Sequence, residues 1–325
     1  MRKAALLYNP ESGGSRVRRL AELESALALL RNANVEAQLI LTDSRGHAKE
    51  KAKQALLAGC DTVFACGGDG TIHNIVQVLA NTGAALAILP MGTANALAHD
   101  LNLPANIAAA AQAALQAAPR RVALGRVEYV DLEGQPRSRF FIVAAGAGVD
   151  AHLFYKLRSG AKQRMGMAAY YAKAWHLWFS YPMTRFVAEF TETGDTASQA
   201  PHRDEVTELM AVRIRNFGGV LRELAPGASL ERNDLRIVSC RTASRLAYLL
   251  YIARGLLRRN WKIPGIDLAY SNRVQCDHVR VPGSSGAEFQ KRQKIYVEAD
   301  GELLGTLPAE ITVVPDALTL LAPSR

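Results

Sequence analysis

The sequence lacks the cysteine patterns that would predict a disulfide framework or a zinc site. Its four cysteines stand apart, with no C-x-x-C pair among them: Cys60, Cys66, Cys240 and Cys276. Both kinds of structure need closely spaced thiols. Isolated cysteines are typical of proteins in a reducing compartment, so we expect a cytoplasmic protein.

Long hydrophobic runs are missing as well. No window reaches the length of about 18 apolar residues that a membrane-spanning helix needs. The first residues, MRKAALLYNP, hold too few apolar positions before Asn9 and Pro10 to form the core of a signal peptide. We therefore expect neither a membrane span nor a secretory signal.

The composition is that of a folded protein with a basic surface. The chain has 325 residues, of which 49% are hydrophobic, so it can bury a sizeable core and form two domains. The 39 basic and 30 acidic residues give a net charge of +9. This charge favours anionic partners such as nucleic acid, nucleotides or acidic lipid headgroups, and does not choose among them.

The first part of the chain alternates between short apolar runs and helical periodicity. Strands are predicted at residues 4–8, 35–41, 62–66 and 86–89, and helices at 15–32, 46–58 and 72–79. Alternation of this kind predicts an α/β domain with a doubly wound parallel sheet that has helices on both faces. We assign residues 1–125 to this domain.

Beyond residue 125 the segments are short, rich in β-branched and aromatic residues, and separated by glycine. This pattern predicts a mostly antiparallel β domain over residues 126–325. The pattern leaves open whether the last segment, LTLLAPSR, returns to the first domain.

Three glycines surround one aspartate in the stretch VFACGGDGTIHNIV. Gly67, Gly68 and Gly70 lie where a buried strand ends and a helix begins, which is the edge where parallel sheets bind ligands. A backbone without Cβ atoms can approach a ligand closely, and amides at a helix start can receive phosphate oxygens. Asp69 would add a carboxylate for magnesium. The alternative is an ordinary turn in which Asp69 caps the helix.

Two further loops at the same predicted edge carry turn residues, at 9–14 (NPESGG) and 90–95 (PMGTAN). All three loops should therefore open on one edge of the sheet. The motif G-x-x-x-x-G-K-[ST] is absent, which excludes a Walker-type phosphate loop.

In these motifs the chain resembles the diacylglycerol kinase catalytic-fold family, which includes bacterial lipid kinases and sphingosine kinases. The resemblance rests on NPESGG, GGDGTIHN, LPMGTANALA, AAGAGVDA, APGASL and ADGELLG, which span nearly the whole chain in order. It implies an α/β nucleotide-binding domain followed by a β-sandwich domain, with ATP and a lipid meeting in the cleft.

The resemblance also implies roles for individual residues. The positions that such enzymes use around ATP are Asn9, Ser12, Gly13, Thr42, Gly67, Gly68, Asp69, Gly70, Thr71 and Thr93. Asp69 would serve Mg²⁺-bound ATP, Asp300 would be the general base, and Glu302 its acidic neighbour.

The chain departs from the family pattern at several positions. Asn74 stands where the family usually has glutamate, and Ala96 where many members have aspartate. The family's D-D-G-x-L-D, which helps to hold a structural magnesium ion, reads E-R-N-D-L-R at residues 231–236. Asp234 keeps a carboxylate there, but arginine beside a cation is an electrostatic conflict.

Asp300 follows the alternating run 295–299 and precedes Gly301. This setting predicts a tight turn at a strand end, with the side chain free to act as a base. An Asp-Gly pair is also a strong signal for a type I′ hairpin without any catalytic role.

The segment GAGVDA, residues 146–151, matches the G-x-G-x-x-A dinucleotide fingerprint. That fingerprint needs an acidic residue about 20 positions later, and the next acid after Asp150 is Glu189. We therefore interpret these glycines as a tight turn and set a dehydrogenase aside.

Two stretches combine basic and aromatic residues, from Tyr155 to Arg185 and from Arg245 to Lys262. Such stretches can bind single-stranded nucleic acid or lie at a membrane surface, and an ordinary helix with a solvated basic face is an alternative for the first. We favour peripheral contact with an anionic membrane and expect no nucleic-acid partner. The sequence does not indicate an oligomeric state.

These observations favour an ATP-dependent lipid kinase acting on a diacylglycerol-like or other long-chain lipid, with ATP and Mg²⁺. NAD kinase is an alternative enzyme, since its loops are similar. A weakened nucleotide- or lipid-binding protein is another alternative, suggested by Asn74, Arg232 and Arg236.

Overall fold

The computed structural model describes most of the chain, in eight ranges: 1–10, 16–42, 45–152, 182–193, 201–217, 223–259, 261–279 and 294–323. Ser12, Gly13 and the basic, aromatic residues from Tyr155 to Phe179 lie outside them. The chain divides into two compact units. Unit 1 comprises Met1–Leu124, Asn216–Arg222 and Val314–Arg325, and unit 2 comprises Gly125–Arg215 and Glu223–Val313.

Unit 1 alternates strands and helices along the chain. Its elements are β1 (Lys3–Tyr8), α1 (Arg16–Asn32), β2 (Glu36–Leu41), α2 (Arg45–Leu57), β3 (Thr62–Gly67), α3 (Asp69–Leu79), β4 (Ala85–Pro90), α4 (Ala96–Asp100) and α5 (Ile107–Gln116). The end of a long strand, β15 (Glu302–Leu320), also belongs to this unit. The sheet order is β15-β4-β3-β1-β2, and neighbouring strands are parallel.

The sheet of unit 1 is covered on both faces. Every residue of β3 and β4 is buried, as expected for strands of a parallel sheet between helices. Helices α1 and α5 pack together over one set of alternate side chains, which includes Leu6 and Phe64. Helices α2 and α3 pack together and contact β1 and β3. The predicted doubly wound α/β arrangement is confirmed.

Unit 2 is built almost entirely from antiparallel strands. Its elements are β5 (Arg120–Val130, which begins in unit 1), β6 (Pro136–Phe141), β7 (Ala144–Gly148), β8 (Phe186–Phe190), β9 (His202–Val206), β10 (Glu208–Val212), β11 (Leu235–Cys240), α6 (Arg245–Leu256), β12 (Ile266–Ser271), β13 (Arg273–His278), β14 (Tyr296–Ala299) and the first part of β15.

One set of strands in unit 2 runs in the order β12-β11-β10-β7-β14-β15, and another in the order β15-β13-β8-β9. Side chains from both sets share one core, which includes Ala145, Phe186, Ile237 and Val274. Two antiparallel sets of strands around a common core match the predicted β-sandwich. No helix among the described residues is both long and apolar enough to cross a membrane.

Candidate active site

The carboxyl ends of the strands in unit 1 meet at one edge through backbone hydrogen bonds. The amide of Asn9, just after β1, donates to the carbonyl of Cys66 in β3 (3.3 Å). The amide of Met91, just after β4, donates to the carbonyl of Gly67 (3.1 Å). The loops after β1, β3 and β4 therefore begin side by side, as the strand pattern predicts.

Thr42 fastens the end of β2 to the same edge. Its backbone amide and its hydroxyl both donate to the carbonyl of Tyr8, at 2.8 and 3.1 Å. The side chain is fully buried. The side chain of Thr42 therefore points into the protein at the base of this edge, where it connects the end of β2 to β1.

Helix α3 begins at this edge with a glycine as its cap. Gly68 is the N-cap residue, and its carbonyl accepts hydrogen bonds from the amides of Thr71 (2.9 Å) and Ile72 (3.2 Å). Asp69 is the first residue of the helix and half-buried. The alternative in which Asp69 caps the helix is therefore wrong. The first-turn amides and the positive end of the helix dipole make this terminus suited to an anion.

The loops after β3 and β4 touch through two glycines. A Cβ atom added to Gly92 would lie 2.4 Å from the Cα of Gly68 and 2.8 Å from Oδ1 of Asn95. Any side chain at residue 92 would thus push the two loops apart. The close approach explains why both loops carry glycine at these positions.

Asn95 shapes the second loop, a role that the sequence did not reveal. Its Oδ1 accepts the amide of Gly92 (2.9 Å), and its Nδ2 donates to the carbonyl of the same residue (2.9 Å). Asn95 has a left-handed backbone (φ 49°), which asparagine adopts more readily than most residues. Thr93, at the tip of this closed turn, is exposed.

Asn74 bonds to its own helix. Its Nδ2 donates to the carbonyl of Gly70, one turn earlier in α3 (2.8 Å). The residue that replaces the family's usual glutamate therefore stabilises the first turn of α3 in this structure.

In unit 2, Asp300 and Gly301 form the turn between β14 and β15. Both have left-handed backbones, with φ of 50° and 78°, and the flanking residues Ala299 and Glu302 are paired. This is the geometry of a type I′ turn, as the Asp-Gly pair predicts.

The carboxylate of Asp300 is engaged by backbone amides. Oδ1 accepts from Val143 (2.8 Å) and Ala144 (3.2 Å), and Oδ2 accepts from Ile142 (3.2 Å). Three donors hold the carboxylate in one position against the loop between β6 and β7.

Gly146 and Gly148 make room for carboxyl groups. Both glycines lie in β7, so the interpretation of this segment as a tight turn is wrong. A Cβ at Gly146 would lie 2.6 Å from Oδ2 of Asp150, and one at Gly148 would lie 3.1 Å from Oε2 of Glu208. Glu298, on the other neighbouring strand, pairs with Gly146.

Three acidic side chains of unit 2 have a raised pKa. We call them the buried acid group: Asp150, Glu208 and Glu298. Glu208 and Glu298 are each 3% exposed, and burial together with the charge of Asp150 raises the pKa of both well above the usual range. Burial also raises the pKa of Asp150, and its contact with Glu208 opposes the rise. The backbone amide of Asp150 donates to Oε2 of Glu208 (3.1 Å), so the two residues are in direct contact.

Glu298 connects the buried acid group to the Asp300 turn, because its Oε2 accepts the amide of Gly301 (2.8 Å). Among the described residues no cluster of His, Cys, Asp and Glu has an arrangement that could hold a metal ion. The sequence offered a weak signal for this group: single acids inside the apolar strands ELMAV and YVEA.

The structural magnesium site that the family pattern implies does not fit this chain. Arg232 forms a two-point ion pair with the carboxylate of Asp234, at 2.6 Å for each contact. Asp234 is therefore engaged by a cation of the chain itself.

Comparison with known proteins identifies diacylglycerol kinases as similar to this chain. A family model described as diacylglycerol kinase catalytic domain matches residues 3–127. A diacylglycerol kinase of Staphylococcus aureus (strain MRSA252) is 30% identical over 328 residues, covering 99% of this chain and 93% of that protein. A diacylglycerol kinase of Bacillus subtilis is 27% identical over 313 residues, covering 95% and 93%.

Solved structures share the fold. A crystal structure of a diacylglycerol kinase from Bacillus anthracis has a TM-score of 0.69 at 19% identity, covering 99% of this chain and 97% of that one. Yeast NADH kinase complexed with NADH has a TM-score of 0.51 at 12% identity, covering 99% and 84%. At these identities the likeness concerns the fold alone.

Replacing Glu208 with glutamine should change how stability depends on pH. Because the pKa of Glu208 is raised on folding, the folded state keeps a proton that the unfolded chain releases near pH 4.5. Stability is therefore lost as pH rises above that value. Glu208→Gln has no proton to lose, so its Tm relative to wild type should increase by roughly 3 °C or more between pH 5 and 8.

Glu205→Gln is the matched control, since Glu205 is exposed on the nearby strand β9. Its Tm should follow the wild-type curve across the same pH range. A Tm difference for Glu208→Gln that stays constant with pH would contradict a raised pKa of Glu208 in the folded protein.

Proposed function

The chain belongs to the diacylglycerol kinase family, and from that premise we propose that it is an ATP-dependent lipid kinase. It transfers the γ-phosphoryl group of Mg²⁺-bound ATP to a hydroxyl of a diacylglycerol-like or other long-chain lipid. The observation that carries this proposal is the contact of Gly68 with Gly92 at the start of α3.

That contact supports the nucleotide half of the proposal. It leaves the amides at the start of α3 with no side chain from residue 68 or 92 in front of them, as close approach of a phosphate requires. Asp69 is the acidic residue at this terminus, and we assign it to the magnesium ion that accompanies ATP. Phosphoryl transfer depends mainly on positioning the phosphates and neutralising their charge. Asn9, Gly70, Thr71 and Thr93 complete the assigned nucleotide contacts.

We assign the acceptor half to Asp300, with Glu302 beside it. The lipid hydroxyl oxygen forms a bond to the γ-phosphorus while the bond from that phosphorus to the bridging oxygen of ADP breaks. The carboxylate of Asp300 takes the hydroxyl proton and later releases it to water. The amides of Val143 and Ala144 support this role because they fix the position of the carboxylate, and a positioned base contributes typically 10²- to 10⁴-fold.

Two other functions would fit parts of the chain. An NAD kinase would use a similar phosphate-binding edge, and the fold shared with the NADH kinase favours this alternative. Its acceptor is soluble in water, however, so this function would not explain the exposed apolar surface of α6. A weakened binding protein would account for Asn74, Arg232 and Arg236.

Transfer of label from ATP to lipid tests the three functions together. Purified protein is incubated with γ-labelled ATP and either a total lipid extract or NAD. We expect label in a lipid product, whose identification gives the substrate class. Label in NAD would replace the proposal by NAD kinase, and tight ATP binding without any transfer would replace it by a binding protein.

Substitution of Asp69 distinguishes phosphoryl transfer by this site from transfer by a contaminating kinase. Asp69→Ala should reduce lipid phosphorylation at least about a hundredfold, since the Mg²⁺ ion that neutralises the phosphates would lose a carboxylate that holds it. Asp61→Ala is the control. Asp61 lies just before the first residue of β3, whereas Asp69 follows the other end of that strand. It should keep normal transfer, and an equal loss in both variants would count against the assignment.

Asp300→Asn should lower turnover at least about a hundredfold while ATP affinity stays normal, because the amide cannot accept the proton. The structure adds a cost in stability: an amide nitrogen replaces one oxygen that accepts a backbone amide, so Tm should fall by a few degrees. Turnover and thermal unfolding are measured on the same preparation.

Asp131→Asn provides a matched control for that cost. Asp131 is another turn residue of unit 2, and its Oδ1 accepts the amides of Glu133 (3.1 Å) and Gln135 (2.7 Å). We expect it to lose stability and keep turnover. If Asp300→Asn behaves in the same way, Asp300 is a structural residue and the base lies elsewhere.

We further propose that α6 contacts an anionic membrane surface. Leucines along one stripe of the helix and its cap are exposed, with Leu246 at 64% and Leu257 at 59%. Arg258, Arg259 and Lys262 follow at its end and are exposed as well. An apolar stripe facing solvent beside a group of cations is typical of helices that lie in a lipid headgroup layer.

Charge reversal at the end of α6 tests this contact. Arg258→Glu/Arg259→Glu should release the protein from vesicles of phosphatidylglycerol and phosphatidylcholine, since each cation near such a surface contributes about 1 kcal/mol. Lys51→Glu/Lys53→Glu makes the same change in charge on α2 and should leave co-sedimentation intact. Binding by wild type that ignores salt and lipid charge would exclude the electrostatic contact.

A further inference from the structure

The segment from Glu231 to Arg236, which runs into β11, carries as many arginines as carboxylates. Arg232 and Arg236 stand at positions where the family pattern has carboxylates, and Asp234 lies between them. In a magnesium site, carboxylate and carbonyl oxygens surround the ion. Oxygens of Asp234 and Leu230 are instead engaged by guanidinium groups of the chain.

The carboxylate of Asp234 is held at both oxygens. Arg232 donates from Nε to Oδ1 and from Nη2 to Oδ2, each at 2.6 Å. The hydroxyl of Thr193 also donates to Oδ2 (3.2 Å). With its side chain only 13% exposed, Asp234 sits in a two-point ion pair that is stronger than a surface contact.

Arg213 engages the backbone carbonyls of the same segment. It is fully buried, and its guanidinium donates from Nη1 to the carbonyl of Asp234 (2.6 Å) and from Nη2 to that of Leu230 (3.1 Å). Burial lowers the pKa of Arg213 to about 10, with Asp234 opposing the change, so the group stays charged near neutral pH. A buried charge of this kind is stable only with such partners.

Tyr270 fixes both arginines of the segment. The guanidinium carbons of Arg232 and Arg236 lie 4.0 and 4.2 Å from the centre of its ring. The tyrosine hydroxyl donates to the carbonyl of Gly227 (3.1 Å). A divalent cation at this segment would meet two cations held by an aromatic ring, and repulsion between them would be strong.

We infer that Arg213 and Arg232 replace a structural divalent cation in this chain, so that the segment from Leu230 to Arg236 is held without any metal. The guanidinium groups bind oxygens of this segment directly: the carboxylate of Asp234 and the carbonyls of Asp234 and Leu230. This inference concerns the folding of unit 2 and does not rest on the proposed activity.

Chelation of the wild-type protein gives the first test. Without nucleotide, Tm should be the same within about 1 °C in EDTA and in millimolar MgCl₂, because a ligand that does not bind cannot stabilise. Dialysed protein should contain less than stoichiometric magnesium or calcium by elemental analysis. A fall of several degrees in EDTA, or one tightly bound ion per chain, would overturn the inference.

Removal of one guanidinium gives the second test. Arg232→Gln should lower Tm by about 2–4 °C, in EDTA and in MgCl₂ alike, since it breaks the two-point ion pair. The matched control is Arg273→Gln, which breaks an exposed pair with Glu310 in the same unit (2.9 Å). Its Tm should stay within about 1 °C of wild type. Equal Tm for both variants would show that Arg232 does not hold the segment.

Restoring the acids gives the third test. Arg232→Asp/Arg236→Asp places three aspartates at alternate positions, which should repel one another in EDTA and be stabilised by Mg²⁺, raising Tm by several degrees. A double variant whose Tm ignores Mg²⁺ would mean that this segment is no cation site with either sequence. If the double variant does not fold, the wild-type and Arg232→Gln measurements decide.

Discussion

The contact between the backbones of Gly68 and Gly92 is the constraint on which the loop edge of unit 1 depends. Parallel strands deliver their loops to one edge, but only residues without a Cβ let two loops touch there. Asn95 then closes the second loop with two hydrogen bonds to Gly92. The result is a helix terminus whose first turn is framed by backbone rather than by side chains, and this suits a phosphate without a Walker-type lysine.

A similar principle operates in unit 2, where glycines admit acids instead of a neighbouring loop. Gly146 leaves space over β7 for the carboxylate of Asp150, and Gly148 leaves space for the backbone of Thr207 and for Glu208. Desolvation raises the pKa of these carboxyl groups, and Oε2 of Glu208 accepts the backbone amide of Asp150. Through Gly301, Glu298 ties this group to the turn that presents Asp300.

The sequence predicted the fold class and the turn at Asp300, because both depend on local patterns. Apolar periodicity located the strands and helices of unit 1, and the Asp300-Gly301 pair located a turn. The sequence did not predict the partners with which those residues form contacts. The amides that hold Asp300 come from residues 142–144, more than 150 positions earlier, and Glu208 and Glu298 meet Asp150 only through strand pairing. Local sequence cannot tell a tight-turn glycine from one that makes space for a distant carboxylate.

The same limit applies to the segment around Asp234, and it shows how charge can change at a site while the fold persists. The sequence indicated the conflict between arginine and a metal ion, but it did not predict the role of Arg213. This residue directly follows β10, and its guanidinium donates to two carbonyls of the segment. Oxygen atoms that lie close together in a turn are stabilised by a positive charge. A guanidinium carries such a charge and can donate hydrogen bonds to several oxygens at once. Because the guanidinium is covalently part of the chain, its charge is present whatever the metal concentration. The departure from the family pattern is therefore consistent with an intact β domain, and loss of carboxylates in this segment is not by itself evidence for loss of activity in the kinase site.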